Sequence, residues 1–310
     1  MGNILVSGST AYDYIMDYKD NFSNHIRKDN IHKLSVSFII DEMKKEKGGT
    51  GLNIAYNLAL LGENPILYSS IGKDFDFGDF IKNNVNLKYI YTSEDLLSSS
   101  GYITNDLEEN QITAFYPGAM LQADNVSINE VEEKINYAIV SPNKKEAMIM
   151  HLKELHTLGV KTFFDPGQAI GMMTKEDLLK SADYANYLIV NDYEFELFKE
   201  TICLSKSDII SLFDKVIITL GSKGSAIIDG KREIFIPAVK NDKVLDPTGA
   251  GDAYRAGLIK GLNSGFDWEL SGKIGSLLAS VSVSYYGGQN HFINYDDFKK
   301  LFKKEFGELI

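Results

Sequence analysis

Short apolar runs bounded by glycine, proline and polar turns recur along the chain. Residues 4–6 (Ile4-Leu5-Val6) form such a run ahead of Gly8, and 65–71, 137–141, 161–164, 187–190 and 216–220 repeat it. Runs this short with little polar alternation predict strands covered on both faces. Segments of helical spacing lie between them. Residues 51–61 set Ile54, Leu58 and Leu61 on one face, and 144–158 fills the gap between two strands. Strands alternating with helices in this way predict βαβ units, hence an α/β fold with a doubly wound, mostly parallel central sheet flanked by helices. Three further helices are predicted at 249–263, 267–286 and around 295–306.

Two regions break the pattern. Residues 13–47 are polar and irregular, with one strand candidate at 34–40, where Leu34, Val36, Phe38 and Ile40 alternate with Ser35, Ser37 and Ile39. Residues 99–104 and 111–116, joined by a polar turn, predict a hairpin with Tyr102, Phe115 and Tyr116 lining a surface. The expectation is one domain over 1–310 with a small β-sheet lid built from insertions at about 14–47 and 98–116. No repeat or linker divides the chain.

The net charge of −11 argues against sequence-independent nucleic-acid binding, which depends on lysine and arginine neutralising phosphates. It leaves room for a phosphate-bearing ligand held by a metal ion and backbone dipoles. A single cysteine, Cys203, cannot form an internal disulfide. The start lacks a basic, then apolar, leader, and no apolar run approaches the roughly 20 residues of a membrane helix, so a cytoplasmic location without membrane contact is expected. Walker and protein-kinase motifs are absent. The five histidines show no zinc spacing, and His151 and His156 are expected on a solvated helix face.

Each predicted strand ends in a polar turn: Ser141-Pro142-Asn143, Asp165-Pro166-Gly167-Gln168, Asn191-Asp192 and Gly221-Ser222. In open parallel sheets ligands bind outside the carboxyl ends of the strands, so the site is expected there. A strand-like segment then runs into Asp246-Pro247-Thr248-Gly249-Ala250-Gly251-Asp252 and a helix. Small residues at a helix start leave N–H groups bare for an anion, with Asp252 beside them; a capped, Gly-rich helix start with no ligand reads equally well from local physics. Gly48, Gly49 and Asn53 allow close backbone approach to a ligand or a bare helix-start turn, and the third glycine of a dinucleotide fingerprint is missing.

The stretch 246–252, together with Gly8-Ser9-Thr10-Ala11-Tyr12-Asp13, Gly48-Gly49-Thr50-Gly51-Leu52-Asn53, Asn191-Asp192-Tyr193-Glu194 and Thr219-Leu220-Gly221-Ser222-Lys223-Gly224, closely resembles the ordered marks of the ribokinase-like (PfkB) kinases of sugars and nucleosides. The resemblance covers essentially the whole chain. It implies an ATP- and Mg²⁺-dependent phosphotransferase in which Asp252 is the base and the amides of Gly249, Ala250 and Gly251 form an anion hole. It implies acceptor binding by Asp13, Gly48, Gly49 and Asn53, and nucleotide contacts from Asn191, Thr219, Gly221, Ser222, Gly224 and Thr248. Asn191 and Glu194 would help hold Mg²⁺ through water, and Asp246 with Thr248 sits where some members hold a monovalent cation such as K⁺.

Within the family the chain looks most like bacterial-type adenosine kinases, on the cues His32-Lys33-Leu34-Ser35-Val36-Ser37-Phe38, Asp165-Pro166-Gly167-Gln168 and Gly288-Gln289. That likeness places Ser37 near the acceptor, Gln168 on the base edge, and Tyr102, Phe115 and Tyr116 around a purine. Ala169 stands where such kinases often carry a second glutamine. The implied reaction is phosphorylation of the 5′-hydroxyl of adenosine or a related nucleoside. A sugar kinase and a non-catalytic nucleoside- or sugar-binding protein on the same scaffold are the alternatives. A homodimer through the lid strands is a further expectation, since exposed sheet edges pair readily.

Overall fold

The computed structural model describes residues 2–26, 36–108, 110–230 and 232–310. In chain order its strands are β1 (Asn3–Ser7), β2 (Ala11–Asp17), β3 (Glu42–Gly48), β4 (Ile66–Gly72), β5 (Ile90–Ser93), β6 (Ser99–Asn105), β7 (Gln111–Tyr116), β8 (Ile135–Val140), β9 (Lys161–Phe164), β10 (Tyr187–Asn191), β11 (Lys215–Thr219), β12 (Ser225–Asp229) and β13 (Arg232–Ile236). The helices are α1 (Thr50–Leu60), α2 (Gly78–Asn84), α3 (Lys145–Thr157), α4 (Lys175–Tyr184), α5 (Asp192–Ile202), α6 (Lys206–Ser211), α7 (Ala250–Asn263), α8 (Trp268–Ser282) and α9 (Tyr295–Phe306).

Nine strands form one sheet in the order β13-β12-β11-β10-β9-β8-β1-β4-β5, parallel from β11 to β5, with β12 and β13 adding an antiparallel hairpin at one edge. Alternate side chains enter two cores. Ile4, Val6, Ile139, Ile189 and Ile217 pack with residues of α1, α7, α8 and α9, while Leu5, Val140, Leu188, Val190 and Val216 pack with residues of α3, α4, α5 and α6. Both faces of the sheet are thus covered, which is why these strands read as continuous apolar runs. From β1 the chain moves to β4 and β5 on one side and returns at β8 on the other, so the strand order reverses at β1. Such a reversal opens a crevice at the carboxyl ends of the strands.

A second sheet of four strands has the order β3-β2-β6-β7. The strand expected at 34–40 is not there: residues 36–40 have no regular structure and 34–35 lie outside the described residues. The partner of β2 is instead the charged segment Glu42-Met43-Lys44-Lys45-Glu46-Lys47-Gly48. It carries no apolar alternation because it is an exposed edge strand, where charge discourages further pairing. The segment before Pro247 is likewise no strand. It runs along the end of α8, with the Leu245 N–H donating to the Val283 carbonyl at 2.8 Å.

His151 also departs from expectation, since it is 2% exposed and lies inside the core rather than on a solvated face. Its Nδ1 pairs with Ser7 Oγ at 2.8 Å and its Nε2 with the Val126 carbonyl at 2.9 Å, so its polar atoms are satisfied away from water. His156 is exposed, as the pattern predicts. Among the described residues no helix is long and apolar enough to cross a membrane.

Candidate active site

The start of α7 lies at the crevice. Gly249 caps it with φ +78°, and a Cβ there would stand 2.7 Å from Gly288 Cα, so glycine is required on two counts. The Asp246 carboxylate fastens this loop by accepting from the Thr248 N–H at 2.8 Å and the Gly287 N–H at 2.7 Å. Burial works to raise the Asp246 carboxyl, but these hydrogen bonds outweigh it and hold it below its ordinary value. Among the described residues the amides of Gly249, Gly251 and Asp252 have no backbone acceptor. The Ala250 amide closes a turn onto the Pro247 carbonyl at 3.1 Å.

Asp252 follows in the first turn of α7. Asn53, from α1, donates from Nδ2 to Asp252 Oδ2 at 2.9 Å, and Gln289 Nε2 in turn donates to Asn53 Oδ1 at 2.8 Å. Asn53 is buried, so its orientation is fixed by packing as well. The carboxyl is pushed up to about 6, chiefly by burial, against the opposing pull of Arg255 and the Asn53 hydrogen bond. One oxygen is held and the other is left to act.

The Asp13 carboxylate rests on two glycines of the small sheet. A Cβ on Gly48 would collide with Asp13 Oδ2, and one on Gly101 would stand 2.8 Å from Oδ1. Burial, with the neighbouring Glu46 charge, raises it to about 6 as well. Gly49 continues into α1 with φ +89°, its missing Cβ lying 2.6 Å from the Ser9 carbonyl oxygen. Thus Gly48, Gly49 and Asn53 connect Asp13 to Asp252 within one turn of helix.

Strand register divides the three aromatic candidates. Asp13 is opposite Glu46 and Gly101, and Gly101 is opposite Phe115, so Phe115 shares the Asp13 face. Tyr102, paired with Tyr14, and Tyr116, paired with Ser100, are on the other face. There Tyr102 stacks on Tyr14 with ring centroids 5.0 Å apart. Ser37 is exposed in the irregular segment before β3. Gln168 is exposed in the short turn after β9, with Ala169 buried beneath.

The remaining candidates line the ends of β10 and β11, where Asn191 pairs in register with Thr219. Asn191 and Glu194 form a reciprocal cap on α5: the Glu194 N–H donates to Asn191 Oδ1 at 2.7 Å and the Asn191 N–H to Glu194 Oε2 at 2.8 Å. Glu194 keeps Oε1 outside this cap, and burial together with the Asp165 charge raises its carboxyl. A free carboxylate oxygen in a negative neighbourhood fits a hydrated Mg²⁺, which retains most of its waters. Among the described residues no three His, Cys, Asp or Glu side chains converge as a direct metal site, and both Asp246 oxygens are already committed to amides. Gly221 (φ +56°) and Ser222 are exposed after β11, and Gly224 (φ +114°) fits under the Ile236 carbonyl where no Cβ could. Thr248 is exposed beside the α7 start.

Sequence reasoning missed three contributors: Gln289 as the holder of Asn53, Glu46 as the neighbour of Asp13, and the buried pair Arg255–Asp165. Arg255 Nη2 donates to Asp165 Oδ1 at 2.7 Å, with Asp165 fully buried. Burial opposes the Arg255 charge, but Asp165 and Asp252 outweigh it and keep the guanidinium protonated. A basic residue inside the otherwise small and apolar run Ala253-Tyr254-Arg255-Ala256-Gly257-Leu258 was the available signal. A cavity of about 610 Å³ adjoins Glu46 and Gln289, lined also by Lys47, Phe77, Phe80 and Phe292. Asp13, Asp252 and Asn53 are not among its lining residues.

The sequence matches the pfkB family of carbohydrate kinases over residues 1–294. It is 32% identical over 303 residues to the nucleoside kinase of Methanocaldococcus jannaschii, covering 96% of this chain and 95% of that one. The structure of Burkholderia thailandensis nucleoside kinase in complex with inosine aligns with a TM-score of 0.89 at 35% identity over 99% of each chain. The same kinase in complex with ADP-inosine gives 0.86 at 36% identity, covering 99% of this chain and 97% of that one. The fold is that of a ribokinase-like phosphotransferase. The chain belongs to the pfkB family of carbohydrate kinases and is an enzyme of its nucleoside-kinase kind.

Proposed function

We propose that the protein transfers the γ-phosphoryl group of ATP to the 5′-hydroxyl of adenosine or a related purine nucleoside. The observation that carries this reading is Asp252, with one oxygen fixed by Asn53, set beside the unpaired amides of Gly249, Gly251 and Asp252. Asp252 Oδ1 takes the proton of the acceptor hydroxyl as its oxygen bonds the γ-phosphorus and the bond to ADP breaks. The free amides receive the charge on the moving phosphoryl group. Mg²⁺, held through water by Glu194 and the Asn191 turn, would neutralise the ATP phosphates.

Asp13 accepts hydrogen bonds from the ribose hydroxyls, and Phe115 offers a ring face to the base, where a flat heterocycle gains stacking contacts. Gln168 reads the base edge. With Ala169 beside it and inosine bound by the Burkholderia relative, inosine is an acceptor as well as adenosine. The small sheet acts as a lid, and its outer face, bearing Tyr14 and Tyr102, suits pairing with a second copy.

The test is ADP release with ATP and Mg²⁺ against adenosine, inosine, guanosine, cytidine, ribose and fructose. Turnover on the purine nucleosides above the others is the expected result. Turnover on a free sugar alone would make the protein a sugar kinase, and silence on all six would favour a binding protein.

A further inference from the structure

Arg255 is a buried cation at the N-terminal end of its own helix, kept charged by Asp165 and Asp252. Side chains on a helix lean toward its N-terminus, so a long residue covers the turn before its own Cα. Arg255, three residues after Asp252 and four after Gly251, therefore reaches back to the start of α7. A Cβ on Gly251 would stand 2.6 Å from Arg255 Nη1. The helix start is the positive end of the dipole, where a cation is disfavoured. This cation is only 7% exposed, and among the described residues its Nε has no hydrogen-bond partner. Asp165 holds only Nη2.

A guanidinium pressed beneath bare amides at a positive helix end is a local conflict, and conflicts of this kind mark functional places. An anion resolves it. The conflict also addresses a difficulty of the reaction, because a carboxylate base beside the incoming phosphates repels them. Asp165, Glu194 and Asp252 bring three carboxylates to this corner against the one guanidinium.

Resting on the kinase reading above, we propose that Arg255 is a positioning residue for phosphoryl transfer: pinned by Asp165 under Gly251, its charge holds the Gly249–Asp252 turn ready for the transferring phosphoryl group. It offsets the Asp252 carboxylate from below the helix start and acts through the turn. The group it serves is phosphoryl in transit, so its influence belongs in kcat more than in ground-state affinity.

A plain structural pair between α7 and β9 is the competing account, and three variants separate the two. Asp165→Asn keeps the charge and a hydrogen-bond acceptor. Asp165→Asn/Arg255→Met removes both charges of the pair together, so neither partner is left as a lone buried charge. Asp165→Asn/Arg255→Lys returns a cation. Melting temperature, calorimetric affinities for ADP and inosine, kcat and KM are measured for each. We expect Asp165→Asn to lower kcat less than about tenfold and the Met double variant to lower it more than about a hundredfold, with the Lys variant regaining at least tenfold. Affinities for ADP and inosine stay within about threefold throughout. A Met double variant with kcat within threefold of Asp165→Asn would overturn the proposal, as would equal losses in all three that follow melting temperature. An inactive wild-type protein would instead overturn the kinase reading.

Discussion

As the proposed base, Asp252 is under two constraints that pull apart. A base for a hydroxyl must be ionised before it can accept a proton, yet burial favours its neutral form and lifts it to about 6. The result is a carboxylate that is still ionised at neutral pH but more proton-seeking than an exposed aspartate. We predict that kcat is flat above pH 7 and falls tenfold per pH unit below about 6, while kcat/KM, which also feels Asp13, falls more steeply. Asp252→Asn should lower kcat by about 10²–10⁴ with inosine affinity retained. A full-activity Asn variant, or a profile flat to pH 4.5, would remove Asp252 as the base. At this scale the sequence was legible where chemistry is local: the Gly-rich turn and its aspartate announce a helix start with spare amides. It was silent where partners are distant, because Gln289 reaches Asn53 across 236 positions and Asp165 meets Arg255 across 90. The turn bond from the Ala250 N–H to Pro247 was not legible either, since residue type does not show which N–H groups a turn engages.

Strands show why some elements were readable and others not. The parallel strands of the large sheet are buried on both faces, and their isoleucine and valine runs stand out. β2 and β3 belong to a sheet with one face toward the crevice and one toward water, so neither face needs to be apolar. The sequence pattern favours 34–40 as a strand over 42–48 because alternation is a burial signal, and the edge strand at 42–48 is not buried. The same alternation decides the aromatic residues, which spacing alone could not assign. Phe115 lies on the Asp13 face, while Tyr116, its neighbour in sequence, lies on the other. We predict that Phe115→Ala raises KM for inosine at least about fivefold, in keeping with roughly 1 kcal/mol for a lost aromatic contact, with kcat little changed. Tyr116→Ala should leave KM within twofold. Equal effects of the two variants, read in steady-state kinetics, would contradict the register.

The whole molecule carries a stability cost at its crevice. Asp13 stands on the small sheet and Asp252 on a helix of the large one, and both are raised from 3.8 to about 6. Between those pH values the folded chain binds more protons than the unfolded chain. The contribution of each group is therefore full below about pH 4 and is lost as pH rises through about 6. At pH 7 each ionised carboxylate costs the fold about 1–3 kcal/mol. A ligand that hydrogen-bonds Asp13 recovers part of that cost, which is why a destabilised group can serve binding. Asp13→Asn should raise the melting temperature of the free protein at pH 7 by about 2–4 °C, given about 2 cal/mol/K of unfolding entropy per residue. Its gain should shrink as the pH falls toward 4. Inosine at a hundred times its dissociation constant should raise the melting temperature of the wild type by about 4 °C. At the same inosine concentration the Asn variant should lose most of that shift while keeping its response to ADP. A variant that loses both responses has lost the crevice as a whole. One that is no more stable than the wild type at pH 7 shows that Asp13 is solvated rather than held ready between its two glycines.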